Sequence, residues 1–381
     1  MKVLVTGGAG FIGSHTVDLL LEKGYEVRIL DNLQPRVHPR GKPAWVPREA
    51  EFIQGDVANR ADLAPAMQGV DYVIHLAAYQ DYLPDFSTFI HTNTESTALL
   101  FELIVEAQLA GRPLPVRKMV FASSQSVCGE GLYNSWEHGF LTPPARPLAQ
   151  LERGDWEVHC PRCGEMMKNV PIPETVCSPG TTYGISKYAI ELLAGRLGRR
   201  YGIPTACLRY TYVQGTRNSF YNTYSGVARI FALRLLHGLP PMCFEDGLQL
   251  RDYVNVRDVA RANVLVMEDE RANFGVFNVG GKRPVTVQEF ARIMIKEFGS
   301  GLEPLVPGEY RLGDTRHTIS DVSRIEALGW QPTVPVEQNV REYVTWMREQ
   351  QTTDEFLKEA DRVMREQGVV RRAKGPLTVS G

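Results

Sequence analysis

The sequence predicts an α/β fold, a doubly wound parallel sheet with a smaller mixed α/β lobe. Three observations carry this. Short runs rich in Val and Ile alternate with helical patterns over the first 130 residues, the order of a parallel sheet covered on both faces. A glycine-rich turn, "VTGGAGFIG", joins the first run to the first helical pattern. The chain's 381 residues are too many for one small core and suit two unequal units.

The elements follow in order. "KVLVTGG" is the first strand; the helix after it runs through Leu21 and stops at Gly24. "YEVRILDN", "AEFIQGDV", "DYVIHLAA" and "VRKMVFASS" read as further strands with helices between them. Residues 131–179 hold seven prolines and little periodicity, which predicts an irregular insertion rather than sheet. Tyr183 to Arg200 is again an amphipathic helix, and "PTACLRYTYV" a sixth strand. Mixed helices and short strands continue to about Trp346, and 352–367 reads as a solvated helix before a frayed tail, "RRAKGPLTVSG". The predicted units are 1–130 with 180–212, rejoined by about 250–268; the insertion, 131–179; a second lobe, 213–249 with 269–350; and a C-terminal helix and tail, 351–381.

Bulk composition excludes several function classes. Hydrophobic residues make up 43% and charged residues 23%, as in ordinary globular chains. A formal net charge of -2 gives no electrostatic case for nucleic acid or an anionic membrane as partner. Strand-like residues follow Met1 directly and no apolar run is long enough to span a bilayer, so the cytoplasm is the expected address. Of six cysteines, only Cys160 and Cys163 are paired in sequence.

Gly7, Gly10 and Gly13 lie between the first strand and the first helix. A tight turn, close approach of a pyrophosphate and helix–strand packing each require a missing side chain there. The free N–H groups near Phe11 and Ile12 would meet the diphosphate. Asp31, at the end of the second strand, is placed to accept the adenosine ribose hydroxyls and repel a 2′-phosphate. The sheet is therefore Rossmann-type and the cofactor NAD; Arg36 and Arg40, just downstream, keep NADP open. Asp56 suits the adenine edge or a plain turn.

A tyrosine is a poor base at its reference pKa of ~10. Lys187, four residues after Tyr183, shares its helix face. The lysine charge and that of an oxidised nicotinamide favour the phenolate. Ser124, at the carboxyl end of a strand, can hold a substrate oxygen where parallel sheets place their ligands.

With these residues in view, the chain resembles the extended short-chain dehydrogenase/reductases of the NAD-dependent epimerase/dehydratase group, which act on nucleotide-linked sugars. The likeness runs from "MKVLVTGGAGFIGSH" to about "LGWQP" and includes "DN" at 31–32, "GDV" at 55–57, "HLAA" at 75–78, "NTEST" at 93–97, "YGISK" at 183–187 and "RDYVNVRDVA" at 251–260. The resemblance implies Ser124, Tyr183 and Lys187 as the catalytic set. Asn32, Asp56, Val57, Leu76, Ala77, Ala78 and Asn93 are implied around the cofactor. It also implies Arg251 on the diphosphate, and Arg311 with Asp314 on diphosphate and nucleotide ribose. Tyr79 and Gln80, with Asp81 and Tyr82, are expected beside the sugar. Tyr212 stands where many relatives have asparagine. The family's helices at 93–108 and 183–200 imply a homodimer.

Family dehydratases place an Asp-Glu pair after the catalytic hydroxyl. Here Gln125 and Ser126 stand there, and neither can do general acid–base work. The chemistry left is 4-epimerisation of a nucleotide-diphosphate sugar through a transient 4-ketone. A 4-keto reductase or dehydrogenase and a catalytically silent NAD-binding scaffold remain the alternatives. The insert's "SWEHG" and "HCPRCG" resemble a branch with a zinc-ribbon-like insertion, which implies a structural zinc on His138, Cys160 and Cys163. Ser135 replaces the branch's further cysteine, leaving His159 or Cys177 as the fourth ligand.

Overall fold

The computed structural model describes residues 1–81, 83–218, 226–350, 362, 365–366 and 368–374. Alternate residues of the short apolar runs are buried on opposite faces. Val3 and Val5 enter one core with Ile29, Ile74, Val120 and Leu208, while Leu4 enters another with Leu30, Val73, Met119 and Phe121. Burial on both faces is why these runs are apolar throughout rather than alternating.

Seven strands form the main sheet: β1 (Lys2–Thr6), β2 (Glu26–Asp31), β3 (Glu51–Gln54), β4 (Tyr72–His75), β5 (Lys118–Ser124), β6 (Thr205–Tyr210) and β7 (Gly275–Val279). Their order is β3-β2-β1-β4-β5-β6-β7, and every neighbouring pair is parallel. The order reverses between β1 and β4, which opens a crevice beyond their carboxyl ends. Helices α1 (Phe11–Glu22) and α4 (Val256–Glu268) cover one face; α2 (Ser96–Leu109) and α3 (Thr182–Tyr201) cover the other. β7 is a difference from the sequence reading, which left 269–350 wholly in the second lobe. Five residues of "GVFNV" look like any short strand until Phe277 packs beneath the sheet.

The second lobe holds a three-stranded sheet of Tyr212–Gln214, Leu250–Asn255 and Pro284–Thr286. Its core joins helices Val227–Leu236, Val287–Phe298 and Val336–Arg348. There Tyr253 and Phe290 stack at 4.2 Å between centroids.

The insertion departs from the irregular segment predicted. Gly139–Leu141, Leu132–Ser135 and Lys168–Val170 form an antiparallel sheet. Tyr133, Val158, Cys160 and Met167 form a small core beneath it. Its prolines sit in the connections, so their density concealed strands of three and four residues. The tail also departs: Arg371 and Arg372 belong to strand Val370–Arg372, which pairs with Glu309–Arg311. The predicted helix over 352–367 lies almost wholly outside the described residues, as does Tyr82. No helix among the described residues is long and apolar enough to cross a membrane.

A buried imidazole ties the two sides of the crevice together. Ser96 Oγ donates to Thr92 O, so it accepts from His75 Nε2 at 3.0 Å. The other ring nitrogen, Nδ1, lies 2.8 Å from Thr6 Oγ1, which also accepts the N–H groups of Leu76 and Ala77. Thr6 therefore donates to Nδ1, and a second ring proton would face a donor. Burial, then the nearby Lys187 charge, pushes the His75 pKa down to about 3. The unfolded chain protonates this histidine below ~6.5. Stability present above that pH is thus lost as pH falls toward about 3. Urea midpoints are expected to drop between roughly pH 8 and pH 4, and His75→Asn should flatten the drop. An unchanged slope in the variant would assign the acid limit to other groups.

Candidate active site

At the crevice the backbone leaves no room for side chains. Gly7 has φ +68°, and a Cβ on it would lie 2.8 Å from Ala77 N. A Cβ on Gly13 would lie 2.1 Å from Gly7 O. Gly10 is different: its Cβ would meet only Gly7 O, at 3.2 Å. The protein itself barely crowds Gly10, so the empty space above it suits a group bound on the turn. Helix α1 begins at Phe11 with no side-chain cap and no acid in its first turn, leaving its first N–H groups to an anion.

A cavity of about 670 Å³ opens there, lined by Gly7, Gly10, Phe11, Ile12 and Gly13. Asp31, Asn32, Asp56 and Val57 line it at the ends of β2 and β3, and Leu76, Ala77, Ala78, Tyr79 and Gln80 at the end of β4. Asp31 accepts N–H groups from Ala9 at 3.0 Å and Leu33 at 2.9 Å, so one carboxylate holds both the glycine turn and the end of β2. Asn32 donates to Asp56 at 3.1 Å, continuing the same edge. These groups, the glycine cradle and the open helix start fit a dinucleotide such as NAD.

Sequence reasoning missed His38 and Trp45 in this wall. Trp45 donates to Ala9 O at 3.0 Å, and burial holds His38 below its usual pKa against the pull of Asp31. Both come from an irregular loop, and no motif marks them.

Asn93 does not line the cavity. It is fully buried in the π-helical stretch Ile90–Glu95. There it accepts from Tyr79 N at 2.7 Å and donates to Tyr79 O and Ser186 Oγ, each at 3.0 Å. It fastens the cavity wall to α3. Tyr79, which lines the cavity, donates its hydroxyl to Asp85.

Thr181 caps α3 by accepting from Gly184 N at 3.1 Å, which sets Tyr183 in the first turn. A side chain on Gly184 would strike Ser126 O at 2.5 Å, so glycine lets α3 start against the turn that follows β5. Tyr183 thereby hydrogen-bonds Ser124. Lys187 donates to Ala122 O at 2.9 Å, with its Nζ 5.8 Å from the Tyr183 ring centroid. Tyr183 and Lys187 both line the cavity. Burial pushes the phenol up to about 12 despite the Ser124 bond, and brings the lysine down to about 7. In the protein alone burial outweighs the Ser124 bond and keeps the phenol neutral, so a cation arriving with a ligand would be needed to favour the phenolate. Ser126 N–H donates to Ser124 Oγ at 3.2 Å. Gln125 Oε1 is buried without a hydrogen-bond partner among the described residues.

The remaining candidates lie on the second lobe, outside this cavity. Arg251 is 5% exposed and sits 5.2 Å from the Tyr212 ring centroid. It donates to Leu250 O at 2.9 Å, Arg316 O at 3.0 Å and Thr315 O at 2.9 Å. No carboxylate of the described residues comes within ion-pair distance of it. Arg311 covers the Phe244 ring at 4.5 Å, and Asp314 begins the turn whose carbonyls hold Arg251.

Comparison with known proteins agrees with this geometry. The profile of the NAD dependent epimerase/dehydratase family matches residues 3–149 and 161–280. The chain belongs to that family. It is 30% identical over 361 residues to a dTDP-L-rhamnose 4-epimerase of Burkholderia thailandensis, covering 92% of this chain and 95% of the other. A UDP-glucose 4-epimerase of Thermotoga maritima, solved with UDP-glucose, superposes with a TM-score of 0.74 at 32% identity, covering 92% and 99% of the two chains. The Thermus thermophilus UDP-glucose 4-epimerase solved with NAD gives 0.71 at 29% identity, with the same two coverages.

The family profile skips residues 150–160, inside the insertion. Around that gap, donor atoms of His138, Cys160 and Cys163 lie within 4.8 Å of one another. The expected fourth ligands are elsewhere. His159 faces Asp155 and Gly164 O, and Cys177 accepts from Arg209 at 2.9 Å. Instead the Ser135 hydroxyl hydrogen-bonds both Cys160 and Cys163, and accepts from His138 N at 3.2 Å.

Tyr183→Phe removes the group that bonds Ser124 while leaving the cavity walls intact. Turnover is expected to fall by about 10²-fold or more, the usual share of a positioned acid–base group, with bound dinucleotide retained. Steady-state rates and the absorbance of released nucleotide check both; near-normal turnover would remove Tyr183 from the chemistry.

Proposed function

We propose that the protein is an NAD-dependent nucleotide-sugar 4-epimerase. The observation that carries this reading is the cluster of Ser124, Tyr183 and Lys187 against a cavity whose described lining residues include only two carboxylates, Asp31 and Asp56. Both carboxylates sit at the ends of β2 and β3, apart from the Tyr183 cluster. The positions after Ser124 offer an amide and a hydroxyl, so among the described residues no acid–base pair stands beside Ser124 to eliminate water. The names of the relatives, dTDP-L-rhamnose 4-epimerase and UDP-glucose 4-epimerase, support the same class.

NAD, when bound, supplies the hydride acceptor. Ser124 holds the C4 oxygen, Tyr183 takes its proton, and Lys187 in its protonated form supplies positive charge near the phenol. Loss of the C4 hydride and the hydroxyl proton leaves a 4-keto sugar. The ketone then turns over in the pocket, the hydride returns to the other face of C4 and Tyr183 returns the proton to the oxygen, so no external redox partner is needed. On the second lobe, Arg251 is a buried cation whose hydrogen bonds among the described residues go to neutral carbonyls, which suits the substrate diphosphate. Arg311 and Asp314 flank it for diphosphate and ribose, and Tyr212 shapes the same side. Exposed Phe86, Ile90, Ile185 and Leu192 on or beside the two family dimer helices support a homodimer.

Incubation with UDP- and dTDP-sugars in heavy water tests the reaction. The C4 epimer is expected with no NADH released and no deuterium on ring carbons. Free NADH would instead mark a dehydrogenase, and deuterium at C3 or C5 would mark enolisation.

We further infer that His138, Cys160 and Cys163 hold a structural zinc whose fourth position falls at Ser135. Three soft donors within 4.8 Å suit zinc, and a hydroxyl in place of a thiolate weakens the closed four-ligand arrangement. Elemental analysis of protein purified without chelator should find about one zinc per chain, retained more firmly in Ser135→Cys. Wild-type protein that is ordered throughout and lacks zinc would refute the site.

A further inference from the structure

Arg146 belongs to the insertion, yet its guanidinium is buried among residues of the second lobe. Its Nη1 donates to Trp156 O at 2.7 Å and Glu245 at 3.1 Å, and its Nη2 to Glu245 and Asp314 O, both at 2.8 Å. Glu245 thus receives a two-pronged pair, and its side chain, like that of Arg146, is only 2% exposed. The same carboxylate accepts from Arg316 Nη1 at 3.1 Å. Arg316 is held from three further sides: by Asp246, by Glu157 of the insertion, and at its main-chain N–H by Glu130 at 2.6 Å.

The geometry of this network ends on one group. Arg146 grips the carbonyl of Asp314, and Arg316 is clamped by four carboxylates. Between them lie the carbonyls of Thr315 and Arg316, the two acceptors from the turn that aim the Arg251 guanidinium. Buried ion pairs gain little for stability over well-packed apolar residues, because desolvation offsets their attraction. They do define direction, since each fork fits only one arrangement of acceptors. Here the direction imposed is that of the turn behind Arg251.

We propose that Arg146 is a positioning residue for Arg251, through which the insertion sets the protein's grip on the diphosphate of its substrate. The inference rests on the reading above that Arg251 meets that diphosphate. It makes the insertion a working part of the nucleotide-sugar site, although the insertion's own residues need not touch the ligand.

UDP and dTDP are the probes, titrated calorimetrically into protein carrying NAD. Arg251→Lys and Arg146→Lys are each expected to weaken diphosphate binding by about tenfold, the scale of one charge-assisted hydrogen bond. KM for the sugar nucleotide should rise more than kcat falls, and NAD content should not change. The double variant should bind within about twofold of Arg251→Lys alone, because coupled residues are not additive. If Arg251→Lys binds diphosphates normally, the assignment of Arg251 is wrong. If Arg251→Lys is weakened but Arg146→Lys is not, or if the two losses multiply in the double variant, Arg146 does not act through Arg251. Should Arg146→Lys fail to accumulate as folded protein, Glu245→Gln loosens the same clamp from the other side. It carries the same expected result and the same two contrary ones.

Discussion

The contact on which the rest depends is the stacking of bare backbone at the crossing of the sheet. Gly13 lies so close over Gly7 O, and Gly7 so close against Ala77, that a single Cβ at either position would collide. This approach lets α1 start directly above β1, with its first N–H groups facing the crevice. Thr6, the residue before it, bonds the N–H groups of Leu76 and Ala77, while Asp31 bonds Ala9 and Leu33. Three strand ends are thereby held by two side chains beneath one glycine turn. The cavity exists because those ends cannot drift apart.

The chemistry inherits a second constraint from this framework, which is desolvation. Tyr183 and Lys187 are both pushed toward their neutral forms by burial. A pair of this kind is quiet until charge arrives with a ligand, and an enzyme that forms a reactive ketone benefits from that restraint. Asn93 contributes without touching the cavity, joining Tyr79 to Ser186 and so fixing the distance between the cavity wall and the helix of Tyr183.

The insertion adds a third layer. It leaves the main sheet after Ser124 and ends at the helix that carries Tyr183. Between those points it meets residues 314–321 along most of its inner side, through Arg146, Glu157, Tyr133 and Ile172. A segment with so many prolines has little core of its own. It is held instead by buried charges shared with the lobe and by the corner where His138, Cys160, Cys163 and Ser135 converge. Three parts of the chain thus meet around the site and the lobe beside it, each ordered by a different force: backbone packing, burial and ion pairing.

Much of this was legible in the order of residues. The glycine spacing, Asp31 after the second strand, and Lys187 four residues beyond Tyr183 are local patterns, and local backbone geometry is set by neighbours along the chain. The first six strands followed from periodicity for the same reason. The pairing of β7 with β6, the ribbon within 131–179 and the strand at Arg371 were not legible. A three- to five-residue strand carries too little periodicity to be seen without its partner. Nor could the sequence indicate that Ser135, rather than His159 or Cys177, completes the cysteine corner, or that Arg146 reaches Asp314 across 168 positions. Spacing along the chain determined which chemistry this protein carries. Only the tertiary structure decided which distant side chains aim it, because buried polar groups take the partners that three-dimensional packing brings within reach.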